Sequence, residues 1–370
     1  MFCIIPRRLQ ALLLVCAAGL SGVPSRTSAT QAPVPTACVV QRAGAAPATP
    51  RIVDYAAIAG AVRIDTLPED GPHAVLGLRS VALLEKNRRL VVDSRQRRVT
   101  LRDADFRTLT VVGREGEGPG EYRAPTFGTV GPDGRIWIVD LGLRRLSVFS
   151  RDGRFQRVVP RVPQNVRQII VVDDTAFLAL GAVPHRDGYS MLTLMTEHGS
   201  VLWQKVPAPP VLAATRLVSD GVRGTRTRDG HVVVGHGISP EFTKISASTG
   251  AAVCTGTLPA SRWTQLDAAN RPNGSLPVTR EWIEQSSVVH SGHALNDGKV
   301  LVATERGLAG GAFENDWIVI RTDLTPELRA LNVPGRLLLV RGDSAWLTGE
   351  TDDGHVTLTR VPLVFTPTRK

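Results

Sequence analysis

Asp93, Asp140, His236 and Glu350 follow or end short apolar runs: Leu90 to Val92, Ile136 to Val139, Val232 to Gly235, and the run that begins with Ala345 to Leu347. Three carboxylates and an imidazole are the donor types that hold a divalent ion, Ca through the oxygens or Zn where the imidazole joins, and they also serve as general acids and bases. Either chemistry requires their lone pairs to converge on one point. The competing role is local, because an Asp that leaves a strand caps its own turn by accepting backbone amides, and a lone His is most often a packing residue. His236 separates the two, being a poor turn cap but a good zinc ligand. His290, with His293 close behind it, completes the metal candidates Asp140, His236, His290 and Glu350. No established catalytic motif accompanies them: there is no Gly-x-Ser-x-Gly elbow, no His-Glu-x-x-His, no phosphate loop and no Cys-x-x-Cys. The run Gly116-Glu117-Gly118-Pro119-Gly120 carries flanking carboxylates that would repel an anion, so it reads as a linker needing Gly at positive φ.

What positions these residues is a repeat. A turn at Pro132-Asp133-Gly134, the apolar run to Val139, Asp140, the alternating Leu146, Val148 and Phe149 and a second turn at Asp152-Gly153 form one unit, whose order is found earlier around Leu90 to Leu101. Similar units follow: Phe177 to Leu180 with Met191 to Met195, Val232 to Val234 with Phe242 to Ile245, Val300 to Ala303 with Trp317 to Ile320, and Ala345 to Leu347 with Val356 to Leu358. Short β-branched or aromatic runs bounded by Asp-Gly turns predict strands joined by tight hairpins. A four-stranded sheet cannot bury both its faces alone, so such units pack radially and close a ring. The expectation is an all-β, six-bladed β-propeller of four-stranded antiparallel blades, with an open β-sandwich or a tandem of small β domains as the alternatives. The last unit runs out after its third strand, and Val62 to Ile64 is expected to supply the fourth by pairing with Val356 to Leu358. On this alignment the residue leaving the second strand is Asp93, Asp140, Gly181, His236, Thr304 and Glu350 in successive blades, all on the face where propeller ligands bind.

The stretch Gly113 to Phe155, GREGEGPGEYRAPTFGTVGPDGRIWIVDLGLRRLSVFSRDGRF, resembles exported bacterial six-bladed propellers related to NHL-repeat proteins, in which a Gly-Glu-Gly-Pro-Gly-Glu-aromatic linker precedes an Asp-Gly-apolar-aromatic-apolar-Val-Asp blade. The resemblance is specific over the first two blades and implies fold and compartment, since most members of that family have no assigned reaction. Enzymes of similar fold, the gluconolactonase-like lactonases and the amidating lyases, place metal ligands in particular blades, and no run here matches their motifs.

The ends of the chain speak for export. Arg7 and Arg8 precede an apolar run from Leu9 to Leu20, followed by small residues, which predicts a signal peptide over 1–29 and periplasmic or extracellular placement. A lipid anchor at Cys16 is the competing outcome. Residues 30–51 are rich in Ala, Pro and Thr and read as a flexible tether, leaving 52–370 as a single propeller domain. No later run is long enough for a transmembrane span. Cys38 and Cys254 remain as a candidate disulfide. The largest departure from the repeat is an insertion at 255–287, with helix-compatible pieces over 261–268 and 279–285.

The chain carries a formal net charge of +10, and Arg supplies 39 of its 44 basic residues. Between Arg79 and Arg167 there are 19 Lys plus Arg against 10 Asp plus Glu. Arg97, Arg98, Arg144 and Arg145 fall in loops of the expected ligand face, where a basic cluster would attract an anionic envelope ligand. Ordinary decoration of solvated turns is the alternative. Nucleic acid is excluded by export and by the lack of aromatics among the basic loops. Together these features predict an exported, monomeric, non-enzymatic binding or interaction module, without a cofactor. Its face, marked by Asp93, Arg97, Arg98, Asp140, Arg144, Arg145, His236, Thr304 and Glu350, would meet a protein, peptide or anionic envelope partner. The alternative is a metal-dependent lactonase-like or lyase-like enzyme using Ca or Zn.

Overall fold

Short alternating strands that each have two faces to bury set the architecture. The computed structural model describes residues 49–364 apart from 61, 69–70, 164, 186–187, 208–220, 259–262, 264–286, 309–312 and 352. The leader, Cys16, Cys38, most of the tether and nearly all of the insertion therefore lie outside the described residues.

Two strands precede the first blade, β1 (Arg51–Asp54) and β2 (Arg63–Thr66). Blade one comprises β3 (Leu78–Leu83), β4 (Arg89–Asp93), β5 (Arg98–Arg102) and β6 (Thr108–Val111). A small parallel pair, β7 (Arg114–Glu115) and β8 (Glu121–Tyr122), lies in the linker to blade two, which holds β9 (Pro125–Val130), β10 (Ile136–Asp140), β11 (Arg145–Phe149) and β12 (Phe155–Val159). Blade three is β13 (Gln168–Val171), β14 (Ala176–His185), β15 (Gly188–Thr196) and β16 (Val201–Pro207). Blade four is β17 (Val222–Arg226), β18 (His231–His236), β19 (Glu241–Ser246) and β20 (Ala252–Thr257). Blade five is β21 (Ser287–Ala294), β22 (Val300–Gly307), β23 (Phe313–Ile320) and β24 (Pro326–Leu331), and blade six begins with β25 (Arg336–Arg341), β26 (Ser344–Glu350) and β27 (Val356–Pro362). Each blade is an antiparallel meander, and the six form a propeller.

The first strands β3, β9, β13, β17, β21 and β25 meet around the axis. Hydrogen bonds cross between several of them: Ser80 Oγ donates to the Gly128 carbonyl at 3.3 Å, Gln168 Nε2 to the Gly224 carbonyl at 2.9 Å, and the Ala294 amide to Thr225 Oγ1 at 3.1 Å. The core is not one mass but layers between neighbouring blades. Leu90 and Val92 of blade one pack on Ile136 and Ile138 of blade two, and Trp137 of blade two meets Phe177 of blade three with ring centroids 5.5 Å apart. Every blade thus depends on both neighbours to keep its two faces dry.

Closure brings the two ends of the described chain together. β2 pairs antiparallel with β27, matching Ile64 to Thr359 and Asp65 to Leu358. The expected strand is therefore present with shifted bounds: it spans 63–66 rather than 62–64, with Val62 outside it. A second finding was not anticipated. Arg51, assigned to the tether, opens β1, which adds a fifth strand, parallel, to the outer edge of blade five, with Ile52 opposite Arg329. Tyr55 and Ile58, in the segment joining β1 to β2, sink into the layer between blades five and six, Tyr55 edge-on to Trp317 at 5.4 Å. The boundaries of the insertion also change, because residues 255–257 belong to β20 and Ser287 to β21. Within it, Trp263 packs beside the layer containing Cys254 and Leu258. Cys254 is disulfide-bonded.

Arg102 fastens the chain between β2 and β3 to blade one. Almost wholly buried, it donates to the His73 and Phe106 carbonyls at 2.7 and 2.8 Å, the Ala74 carbonyl at 3.1 Å and Thr100 Oγ1 at 2.8 Å. Burial, with Arg98 nearby, lowers its pKa to about 10. The guanidinium fork satisfies carbonyls that no strand partner reaches.

Removal of residues up to Thr66 should lower the urea unfolding midpoint of the whole ring, with about 3–6 kcal/mol lost from Tyr55 and Ile58 alone. An unchanged midpoint would show that β1 and β2 are dispensable.

Candidate functional site

The rim residues divide into two kinds. Asp93 is buried and accepts the Leu76 amide at 2.7 Å and the Gln96 amide at 3.0 Å. Asp140, fully buried, accepts the amides of Arg123, Ala124, Gly142 and Leu143 at 2.8 to 3.2 Å. Each carboxylate staples the linker entering its blade to the turn leaving the second strand. That is the turn-capping role, extended across two segments, and it spends the lone pairs that a metal would need. Thr304 donates to the Asp316 carbonyl at 3.4 Å, and Glu350 is exposed at the end of β26. His236 is buried, its Nδ1 without a hydrogen-bond partner, and burial lowers its pKa to about 4. Among the described residues no group of three His, Cys, Asp or Glu is placed to hold a metal. The four metal candidates from the sequence therefore do not converge.

The basic rim residues are largely engaged with the linker before blade two. Arg97 pairs with Glu115. Arg145 donates to the carbonyls of Glu117, Gly118 and Glu121, holding a loop in which Gly116 and Gly120 take φ of 151° and 77°. Glycine is required at both, as expected from the sequence. Arg98 and Arg144 flank the turns after β4 and β10, and each has an interaction of its own.

The register leads one step further inward. Asp93, Asp140, His236 and Thr304 pair with Leu78, Pro125, Val222 and Val289 on the first strands of their blades. The residues that follow those partners are Arg79, Thr126, Arg223 and His290. Three of them, Arg79, Thr126 and His290, fall at register shifts, so the ladder skips them. A bulge of this kind turns a side chain out of the sheet and is common beside binding sites. With Arg167, just before β13, and Arg336, the first residue of β25, they line a central cavity of about 370 Å³, one from each blade.

The cavity is strongly cationic. Among the described residues its lining includes Arg79, Arg167, Arg223 and Arg336 but a single carboxylate, Glu305, which accepts Arg336 Nη2 at 2.8 Å. Arg223 is oriented by carbonyls, its Nε donating to His290 at 3.0 Å and its Nη1 to Val222 at 3.1 Å. Arg167 Nε, His290 Nε2 and His293 Nε2 are enclosed without a hydrogen-bond partner. Burial, followed by the charges of Arg336 and Arg223, pushes the His290 pKa well below the ordinary imidazole value, and burial lowers that of His293 to about 4. Both side chains keep some contact with the cavity yet sit deep in the ring, so they are surrounded by protein on most sides. Phe127, Leu141, Leu337 and Leu338 supply apolar wall. The sequence pointed to His290 and its neighbour His293 but not to the arginines. Their signal was present: a charge inside an otherwise small or apolar inner strand, as in Leu78-Arg79-Ser80-Val81 and Val222-Arg223-Gly224.

A six-bladed β-propeller with an arginine-lined channel mouth is thus the class the structure defines. Solved structures of similar fold include a Bacteroides fragilis NCTC 9343 protein inferred to be exported, with TM-score 0.61, 11% identity and coverage of 85% of this chain and 97% of that one. A member of the DUF4221 family from Bacteroides vulgatus has TM-score 0.56 and 11% identity, over 83% of this chain and 97% of that one. A gluconolactonase from Xanthomonas campestris has TM-score 0.53 and 17% identity, over 86% and 95% of the two chains. At these identities the likeness carries the fold alone. No protein-family profile matches the chain, and no curated protein matches its sequence. Among the described residues no helix is long and apolar enough to cross a membrane.

Two outcomes follow for the rim. Asp140→Ala should cost about 2–4 kcal/mol in denaturant unfolding, since four amides lose their acceptor; a loss below about 0.5 kcal/mol would contradict the staple. Burial depresses the folded pKa of His236 to about 4 from the ordinary imidazole value of 6.5. The unfolded chain therefore takes up its proton first, and the stability this group lends above about pH 6.5 is lost as pH falls toward about 4, by up to about 3 kcal/mol. His236→Gln should unfold with a shallower acid dependence than the native protein, and an identical pH profile would argue against a buried neutral imidazole.

Proposed function

We propose that this chain is an exported, non-enzymatic binding propeller that captures a small organic anion at the channel mouth. The observation that carries the reading is the charge of the cavity wall, four arginines against one carboxylate among the described residues, with Arg167 Nε lacking a partner. Guanidinium groups match carboxylate, sulfate and phosphate oxygens in geometry and charge. A cavity of about 370 Å³ suits a ligand of monosaccharide to disaccharide scale. The leader-like N-terminus and the structural likeness to a protein inferred to be exported support placement outside the cytoplasm.

The turns bearing Arg97, Arg98 and Arg144 lie at the same end of their blades as Arg79 and Thr126, because the Asp93 and Asp140 staples join those turns to the linkers that enter β3 and β9. Rim arginines then draw an anion toward the mouth, and the inner arginines hold it. A metal-dependent lactonase-like reaction gains no support from this wall. Arginines repel a divalent cation, and Glu305 is already paired.

Calorimetric titration with galacturonate, using galactose as the uncharged control, tests the reading. Binding of the acid alone is expected, weakened at least about tenfold by Arg167→Gln, which removes a charge-assisted hydrogen bond. Arg97→Ala with Arg144→Ala should slow association and flatten its salt dependence while changing affinity little. Equal binding of acid and neutral sugar, or none of inorganic sulfate or galacturonate at low salt, would sink the proposal.

A further inference from the structure

His290 occupies in blade five the position that Arg79 and Arg223 occupy in blades one and four. Charged groups face it from several elements: Arg336 from β25, Arg223 from β17, Arg79 from β3 and His293 from its own strand. Glu305 of β22 is directed to Arg336. In the ligand-free ring the imidazole stays neutral, since a proton there would add a further positive charge to a partly desolvated, arginine-lined cavity. The residue lines the cavity, and its Nε2 is buried without a hydrogen-bond partner.

An oxyanion at the mouth reverses both conditions. It cancels the guanidinium field and offers Nε2 an acceptor. Resting on the reading of the channel as an anion site, we propose that the anion enters together with one proton, which comes from solvent and is held on His290. No bond of the ligand breaks, and release of the anion returns the proton to solvent. The channel is then a proton–anion co-binding site: capture strengthens on acidification and weakens toward neutrality. The sign follows from linkage. Because the ligand raises the imidazole pKa, the complex binds more protons than the free protein between the depressed and the raised value, and affinity rises as pH falls across that window. His293, further along β21, shares the cavity but is not at the bulge.

Inorganic sulfate is the probe, because its charge is constant from about pH 8 to about pH 5. Calorimetry of the native protein in two buffers of different ionisation heat counts the protons taken up. The expected results are an uptake approaching one and an affinity that rises by up to about tenfold per pH unit within the window. His290→Gln should still bind sulfate, with uptake close to zero and a flat pH profile, whereas His293→Gln should retain most of the coupling. Should His290→Gln fail to fold, His290→Asn and the two-buffer measurement on native protein decide the matter. Sulfate bound without proton uptake would overturn the coupling and leave the anion site standing. No sulfate binding at any pH would overturn both. Uptake that survives in His290→Gln and disappears in His293→Gln would show the proton to be on the other imidazole and refute the assignment.

Discussion

Every blade of this molecule needs a neighbour on each side, and that demand closes the ring. A four-stranded sheet with apolar residues on both faces is stable only between two others, so the layers Leu90–Ile136, Trp137–Phe177 and Tyr55–Trp317 are links in one circular chain. The break in the circle falls at blade six, whose outer edge β27 would expose unpaired backbone without β2. β1 and the buried Tyr55 and Ile58 add a second fastening one blade away. Closure has a consequence at the axis, where six first strands are forced together and whatever their mouth-facing residues carry becomes a common wall.

That wall is unusual in its charge. Two ways of accommodating an inward-facing arginine occur in the same protein. Arg102 is sealed between segments and satisfied by three carbonyls and a hydroxyl, a structural use that needs nothing from solvent. Arg79, Arg167, Arg223 and Arg336 line an open cavity with a single carboxylate, Glu305, beside them among the described residues. Like charges gathered in this way raise the free energy of the empty ring and lower that of a ring holding an anion. Neutral imidazoles in the same wall limit the cost, because their protons leave before another positive charge accumulates.

The rim contributes order rather than ligands. Asp93 and Asp140 tie each incoming linker to the turn above it, and the residue after their strand partner, Arg79 or Thr126, is the one that reaches the cavity. Blade four has His236 where the carboxylate would be and Arg223 one step inward; blade five has Thr304 and His290. The stapling group varies while the position it presents remains a cavity residue.

Fold class, the number of units and the use of an N-terminal strand to complete the last blade were legible in the chain, because Asp-Gly turns and alternating apolar runs are local signals that each blade repeats. The glycines at 116 and 120 were legible for a similar reason, their positive φ being a property of the linker itself. β1 was hidden, since Arg51 to Asp54 is an edge strand whose partner, β24, lies far away in sequence and whose own pattern is partly exposed. Asp93 and Asp140 were visible as residues of interest, yet no sequence pattern says whether a carboxylate faces amides or an ion. The arginines of the mouth left only a local mark, a charge among small or apolar residues at Arg79 and Arg223, which says nothing of their convergence. Arg79, Arg223 and Arg336 lie in short strands and Arg167 just before one, and only ring closure, together with bulges that release Arg79 and His290 from the ladder, converts residues as far apart in sequence as Arg79 and Arg336 into one surface. Local composition determines which strands form; convergence at the axis is a long-range property that closure alone creates.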